Sequence, residues 1–220
     1  MNALFSRLLD LLYPPRCVFC HNLMPRGVAV CGHCRATLPY TVGEGQKRAI
    51  KGISRCVSPL YYEGSVRDSL LRYKFGSLSG YAKIYGEFLS KCIDENGFSC
   101  DSITWVPLSR RRKLLRGYDQ ARLLAVELSR RTGVPCEGLL RKVRNNPAQS
   151  TTGSPAKRRA NVSGVYRSAA PEKTAGRRIL LVDDIVTTGA TLSECASVLK
   201  HAGAKEVLAV TVACTRFHDR

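Results

Sequence analysis

Arg178-Ile179-Leu180-Leu181-Val182-Asp183-Asp184-Ile185-Val186-Thr187-Thr188-Gly189-Ala190-Thr191 is the stretch from which the architecture can be read. It opens as an unbroken apolar run, the composition of a parallel strand buried on both faces. Two adjacent carboxylates end that run, and a turn rich in hydroxyls and glycine follows. The turn passes into Leu192-Ser193-Glu194-Cys195-Ala196-Ser197-Val198-Leu199-Lys200, which has helical composition. Open α/β sheets hold their ligands beyond the carboxyl ends of such strands. The helix N-terminus behind the turn offers unpaired N–H groups and a dipole that favours anions. Gly189 permits close approach, Thr187, Thr188 and Thr191 add hydroxyl donors, and Asp183 with Asp184 suits a diol or a metal beside a phosphate. The combination suits a phosphorylated sugar.

Other readings of the same residues fit less well. Thr191-Leu192-Ser193-Glu194 also matches a plain capping box. A receiver domain would carry the acid pair on its first strand with further strand–helix units to come, whereas only about 30 residues follow here. A haloacid-dehalogenase nucleophile needs Asp-x-Asp, and a P-loop needs G-x-x-x-x-G-K-[ST]; neither occurs. What remains resembles the 5-phosphoribosyl-1-pyrophosphate (PRPP) motif of type I phosphoribosyltransferases. The resemblance implies that Asp183 and Asp184 grip the ribose 2′- and 3′-hydroxyls. It implies also that Thr187, Thr188, Gly189, Ala190 and Thr191 cradle the 5′-phosphate.

The whole chain bounds the possibilities. Its 220 residues allow one ordinary domain and a small appendage, and 44% hydrophobic content is ample for a core. No apolar run is long enough to span a membrane. Phe5, Leu8, Leu9 and Leu12 fall at helical spacing, which predicts a short amphipathic helix packed on its own domain rather than a signal peptide. A cytoplasmic location is expected. The formal charge of +18 comes from 35 Lys+Arg against 17 Asp+Glu. Its excess concentrates between Arg110 and Arg159, where 14 basic residues face only Asp119, Glu127 and Glu137. Such density meets phosphate, in nucleic acid or in a small anionic ligand, or else forms a solvated basic surface.

Ten cysteines divide into two groups. Cys17, Cys20, Cys31 and Cys34 form C-x2-C-x10-C-x2-C, a spacing that aims four thiolates at one tetrahedral zinc. Pro14, Pro15, Pro25 and Gly27 suit the turns between them. So small a fold draws much of its stability from the metal. His21 and His33 lie nearby as possible substitutes. The cysteines at 56, 92, 100, 136, 195 and 214 show no close pairing and read as buried packing residues.

Between these landmarks, strands are expected at 57–62, 103–107, 179–182 and 207–212, with shorter ones at 139–140 and 162–166. Helices are expected at 65–75, 81–95, 119–131 and 190–202. The alternation predicts an α/β fold, a parallel sheet with helices on both faces. The expected divisions are a helix and zinc module over 1–40, a linker over 41–56 and a phosphoribosyltransferase-like domain over 57–216.

Further motifs extend the resemblance. Val106-Pro107-Leu108-Ser109, Arg116-Gly117-Tyr118-Asp119-Gln120-Ala121, then Gln149, Arg159, Asn161 and Val162 accompany the zinc module and the acid pair. From residue 16 to 215 the pattern resembles the ComF family, competence-associated proteins with a cysteine-rich zinc module before a phosphoribosyltransferase-like domain. Many relatives carry another cysteine pair near the linker; here Cys56 stands alone. The resemblance implies structural Zn2+, PRPP with Mg2+, and other cytoplasmic DNA-uptake proteins as partners. By position, the backbone of Pro107-Leu108-Ser109, with Arg110, would meet pyrophosphate, Lys74 would contact phosphate, and 144–160 would form a closing hood. Arg110, Arg111, Arg112, Lys113, Arg116, Lys157, Arg158 and Arg159 are candidates for single-stranded DNA, with Tyr61, Tyr62, Tyr73, Phe75 and Tyr118 as stacking surfaces. Arg116 and Gln120 would face ligand or DNA, or cap the 119–131 helix. If the protein is catalytic, the reaction displaces pyrophosphate from the ribose anomeric carbon. No residue stands out as a general base or as the reader of an acceptor. A nucleotide-salvage transferase and a PRPP-responsive regulator therefore stand beside the competence reading.

Overall fold

A computed structural model describes residues 14–43, 47–144 and 164–216. In chain order the elements are α1 (Gly32–Thr37), β1 (Arg55–Val57), β2 (Leu60–Tyr61), α2 (Gly64–Phe75), α3 (Tyr81–Glu95), β3 (Ser102–Trp105) and α4 (Arg110–Arg116). There follow α5 (Gln120–Thr132), β4 (Leu140–Lys142), β5 (Tyr166–Ser168), α6 (Pro171–Thr174), β6 (Arg178–Val186), α7 (Ala190–His201) and β7 (Glu206–Cys214). The main sheet runs β1-β7-β6-β3, with β2 also on β7, and every pair in it is parallel.

The apolar run at 179–182 is continuous because it is covered on both sides. Successive side chains of a strand point to opposite faces. Leu180, Val182, Leu208 and Val210 pack against α2, α3 and α5 through Leu70, Tyr73, Tyr85, Leu89 and Leu124. Ile179, Leu181, Val207 and Ala209 pack on the other face against Leu192, Cys195 and Leu199 of α7. All eight strand residues are essentially inaccessible. Fully burying each larger side chain contributes about 1.5–3 kcal/mol, so these two strands form the centre of the fold.

Three expectations change. The 57–62 segment is two short strands, because Ser58-Pro59 interrupts pairing and proline has no N–H for a ladder. Strand β6 continues past Val182 to Val186, so the acids lie within the strand and not in the loop after it. The cause is β7, which runs alongside and pairs Asp183 with Thr211, Ile185 with Ala213 and Val186 with Cys214. The two short strands leave the main sheet altogether. Strands β4 and β5 form an antiparallel pair, with Leu140 opposite Ser168 and Lys142 opposite Tyr166. Most of the expected hood lies outside the described residues, as does the expected helix at Phe5–Leu12.

The cysteine-rich segment shares a core with the rest of the chain. Val18, Phe19, Val30, Cys34 and Leu38 belong to the same buried cluster as Leu70, Tyr73, Tyr85 and Leu89. The Phe19 ring meets Tyr85 and Phe88 edge-on, with centroids 6.2 and 5.7 Å away. Ser69 Oγ donates to the Val18 carbonyl at 2.6 Å, and Arg72 Nη2 donates to the Phe19 carbonyl at 2.5 Å. Within the expected linker, Ile50 and Ile53 are buried against the α7 face, and Arg48 donates to the carbonyls of Thr187 and Thr215. Among the described residues, no helix is long and apolar enough to cross a membrane.

Candidate functional site

Cys17, Cys20, Cys31 and Cys34 bring their ligand atoms within 4.8 Å of one another. Four sulfurs around a tetrahedral zinc, with bonds of about 2.3 Å, lie about 3.8 Å apart. The Cys20 and Cys31 sulfurs are separated by 3.7 Å. Backbone N–H groups point at the sulfurs as well: Cys31 N donates to Cys17 Sγ at 3.4 Å, and Cys34 N to Cys31 Sγ at 3.3 Å. The donor set fits a structural zinc with no open position. Neither His21 nor His33 joins this cluster. Cys56 is not a ligand: it lies on β1 in the opposite core cluster, and burial pushes its thiol up to about 12.

The acid pair occupies an edge made by unequal strand lengths. β3 stops at Trp105 opposite Val182, and Val106 N makes the last bond, to the Val182 carbonyl at 3.0 Å. Beyond it β6 has no described neighbour on that side, so residues 183 and 184 border a cavity of about 270 Å³. As adjacent strand residues they serve opposite faces. Asp184 meets Lys74, from the last turn of α2, at 3.0 Å, with the two side chains 12% and 19% exposed. Asp183 belongs to the side of Cys195, Tyr166 and Lys142. Burial, followed by the charge of Asp184, raises Asp183 well above the usual carboxylate range. Lys74 and the Asp184 N–H, which donates to Asp183 Oδ1 at 2.8 Å, oppose that rise without cancelling it.

Of the residues expected to meet PRPP, Asp183, Asp184, Thr191, Leu108 and Lys74 line the cavity. Thr187 and Thr188 are exposed on the turn, and Ala190 N donates to Thr188 Oγ1 at 3.4 Å. Gly189 is the N-cap of α7 at φ 75°. A Cβ there would stand 2.9 Å from Ile50 Cγ1. Gly189→Ala is therefore expected to destabilise the protein by at least about 1–2 kcal/mol, from left-handed backbone strain and the Ile50 contact. Chemical denaturation measures this, and an unchanged midpoint would show that the turn is not held by Ile50.

Two local alternatives are settled by hydrogen bonds. The capping box does not form, because Glu194 Oε1 instead accepts from Gly164 N at 2.6 Å and ties α7 to the approach to β5. Arg116 and Gln120 do not cap α5. That cap is Asp119, whose Oδ1 accepts from Arg122 N at 3.2 Å while Oδ2 accepts from Leu108 N at 3.1 Å. Ser109 caps α4, its hydroxyl accepting from Arg112 N at 3.4 Å. It does not line the cavity.

The basic residues separate by face. Arg112 and Arg116, one turn apart on α4, line the cavity, while Arg110, Arg111 and Lys113 are exposed. Arg116 Nη1 donates to Gln120 Oε1 at 3.0 Å, and its guanidinium lies 4.9 Å from the Phe75 ring centroid. Lys157, Arg158 and Arg159 lie outside the described residues. Among the five aromatics, Tyr73 is wholly buried, its hydroxyl donating to the Gln120 carbonyl at 2.9 Å. The Tyr118 hydroxyl donates to the Tyr73 carbonyl. Phe75, 69% exposed, keeps a free face. Lys142 and Tyr166 of the β4–β5 pair also border the cavity. Neither was assigned to the site by sequence, because nothing local shows that this pair folds over the acids.

The cleft and its cysteine module define a phosphoribosyltransferase-type domain behind a zinc ribbon. Residues 119–219 match the phosphoribosyl transferase domain model, and residues 8–45 match the double zinc ribbon domain model. Competence protein F of Haemophilus influenzae is 36% identical over 110 residues, 49% of this chain and 47% of that protein. Competence protein ComFC of Streptococcus pneumoniae is 32% identical over 146 residues, 66% of this chain and 62% of that protein. The chain is thus similar to competence proteins of the ComF type, and its match spans about half the length of the Haemophilus relative. Among solved structures, the glutamine PRPP amidotransferase of B. subtilis is similar at TM-score 0.44 and 24% identity, over 64% of this chain and 30% of that one. The ribbon model is a double one, yet the described residues hold one four-cysteine cluster.

Proposed function

We propose that this protein binds PRPP in the cleft and single-stranded DNA on its adjoining basic surface, and that it supports DNA uptake in the cytoplasm during natural transformation. One observation carries the first part: two adjacent carboxylates at the open edge of β6, beside a glycine–threonine turn that opens α7 and a lysine that partly neutralises them. Asp183 and Asp184 would hold the ribose hydroxyls and the 187–191 turn the 5′-phosphate. Their oxygens, with those of the ligand, suit a hard cation such as Mg2+. Bound there, it would act as a Lewis acid on the departing pyrophosphate.

The DNA part is supported by α4, where exposed Arg110, Arg111 and Lys113 neighbour Leu114 and Leu115, 84% and 77% exposed. The competence part rests on the names carried by the Haemophilus and Streptococcus relatives. Transfer to an acceptor is a second reading, favoured by the match of residues 119–219 to the phosphoribosyl transferase domain model. Two measurements test the proposal. Reversing Arg110, Arg111 and Lys113 to glutamate should lower the slope of log affinity for labelled single-stranded DNA against log salt by about 2. The wild-type gene, but not an Asp183/Asp184 double variant, should restore transformation to a strain lacking it. An unaltered salt slope removes α4 from the DNA surface, and equal rescue by both genes detaches the cleft from uptake.

A further inference from the structure

The segment 47–53, expected as linker, is built into the sheet. Lys47 bridges antiparallel to Val57, and Arg48 N donates to the Cys56 carbonyl at 2.9 Å. The chain then reverses, with Ile53 N donating to the Ile50 carbonyl at 3.1 Å, and Ser54 N reaches the Val207 carbonyl at 2.8 Å. Gly52 takes φ 85° at that reversal, where a Cβ would stand 3.4 Å from Ala196 Cβ of α7. Ile50 and Ile53 are buried. A mere tether between two modules needs no such order.

Two side chains of this segment meet the 187–191 turn. Ile50 is the floor under Gly189. Arg48 donates through Nη1 to the Thr187 carbonyl and through Nη2 to the Thr215 carbonyl, with Thr215 Oγ1 3.4 Å from Nη2. Thr215 N in turn donates to the Val186 carbonyl at 3.1 Å. One guanidinium therefore ties the first residue of the turn to the chain leaving β7. Its planar fork has fixed donor directions and suits two carbonyls at once, which a lysine ammonium does not. Arg48 does not line the cavity, so its effect on a ligand is indirect.

That effect follows from peptide geometry. The 187–188 peptide is trans, so its N–H points opposite to its C=O. With the Thr187 carbonyl drawn to Arg48, the Thr188 N–H is aimed away from the segment, on the side where Thr188 is exposed. A flip of this peptide would present a carbonyl oxygen to an incoming phosphate and take the acceptor away from Nη1.

We propose that Arg48 is a positioning residue for the turn: it fixes the 187–188 peptide so that the Thr188 N–H donates to the 5′-phosphate. The proposal rests on the reading of 187–191 as the phosphate cradle and names a residue outside the cleft on which that cradle depends.

The test uses the full-length, zinc-loaded protein, with ribose 5-phosphate titrated by calorimetry. Arg48→Met keeps the apolar stem and removes the donors, and should weaken binding by about tenfold or more. Arg48→Lys keeps the charge without the fork and should still bind at least about threefold more weakly than wild type. Arg55→Met is the control, because Arg55 also braces two carbonyls, those of Asn96 and Gly97 at 2.8 and 3.3 Å. It lies elsewhere and should change affinity by less than about twofold. In 15N-labelled protein the ligand should move the Thr188 amide proton downfield in wild type, and less so in Arg48→Met. Equal affinity in wild type and Arg48→Met overturns the proposal. Wild-type affinity in Arg48→Lys also overturns it, since a point charge would then suffice. An equal loss in Arg55→Met would reduce Arg48 to a general brace and refute the positioning role. A wild-type protein that binds no ribose 5-phosphate refutes the phosphate reading of the turn itself, and the proposal with it.

Discussion

Asparagine at both 183 and 184 is expected to weaken PRPP binding by about a hundredfold or more. A hydrogen bond from a sugar hydroxyl to a charged acceptor contributes about 1.5–3 kcal/mol. Losing two such acceptors corresponds to a factor of about 10² to 10⁴ in affinity. The single variants should differ in stability although both impair binding. Asp184→Asn leaves Lys74, 3.0 Å away, without its counter-charge. The cost is roughly 1–3 kcal/mol, below that of a fully buried pair because Lys74 keeps some exposure. Asp183→Asn replaces a buried carboxyl, whose ionisation burial and Asp184 oppose, by a neutral amide of similar shape, so the ligand-free protein should be as stable as wild type or more so.

The same substitution should remove a dependence on pH. Burial and Asp184 hold the folded-state pKa of Asp183 above that of an ordinary unfolded carboxylate. Between those two values the folded chain keeps a proton that the unfolded chain has released. Stability from this group is therefore full below the ordinary carboxylate range and declines as pH rises through the raised value. Urea unfolding at pH 5 and pH 8 should show a steeper decline for wild type than for Asp183→Asn. Parallel declines would mean that Asp183 titrates normally.

Removing zinc is the other large perturbation. Without the metal, the 17–34 loops lose the centre that closes them, and zinc-dependent modules of this size unfold. The damage should not stay local, because Val18, Phe19 and Leu38 share a core with Leu70 and Tyr85, and Ser69 and Arg72 donate to carbonyls of the ribbon. Exposing those three side chains costs several kcal/mol at about 1.5–3 kcal/mol each. For a chain of this length that lowers the melting temperature by about 10 °C or more. Calorimetric scans of zinc-loaded and chelated protein, with Cys34→Ser alongside, measure the effect. A single transition at an unaltered temperature would show the ribbon to be an independent appendage. Metal analysis should return one zinc per chain, in keeping with the one four-cysteine cluster among the described residues.

Much of this was legible in the sequence because it depends on local pattern. The run at 179–182 announces a strand covered on both faces, the Cys17–Cys34 spacing announces its metal, and Gly76 and Gly133 mark helix ends that the structure confirms. What escaped depends on contacts distant in the chain. The acids stay in the strand because β7 runs beside them, which residues 178–186 do not disclose. Helix α4 is nearly all basic and has no buried residue, so it lacks the apolar periodicity by which helices are recognised. Arg48 and Ile50 looked like linker residues, yet one bonds the Thr187 carbonyl and the other packs under Gly189. Lys142 became a site residue only when the β4–β5 pair folded beside the acids.

Calorimetric titration of PRPP into the zinc-loaded, full-length protein, with Mg2+ present, bears most directly on the cleft. A single saturable site is expected, lost when Asp183 and Asp184 are both asparagine. Absence of saturable binding, or equal affinity in the double variant, would contradict the assignment of the acid pair to the sugar.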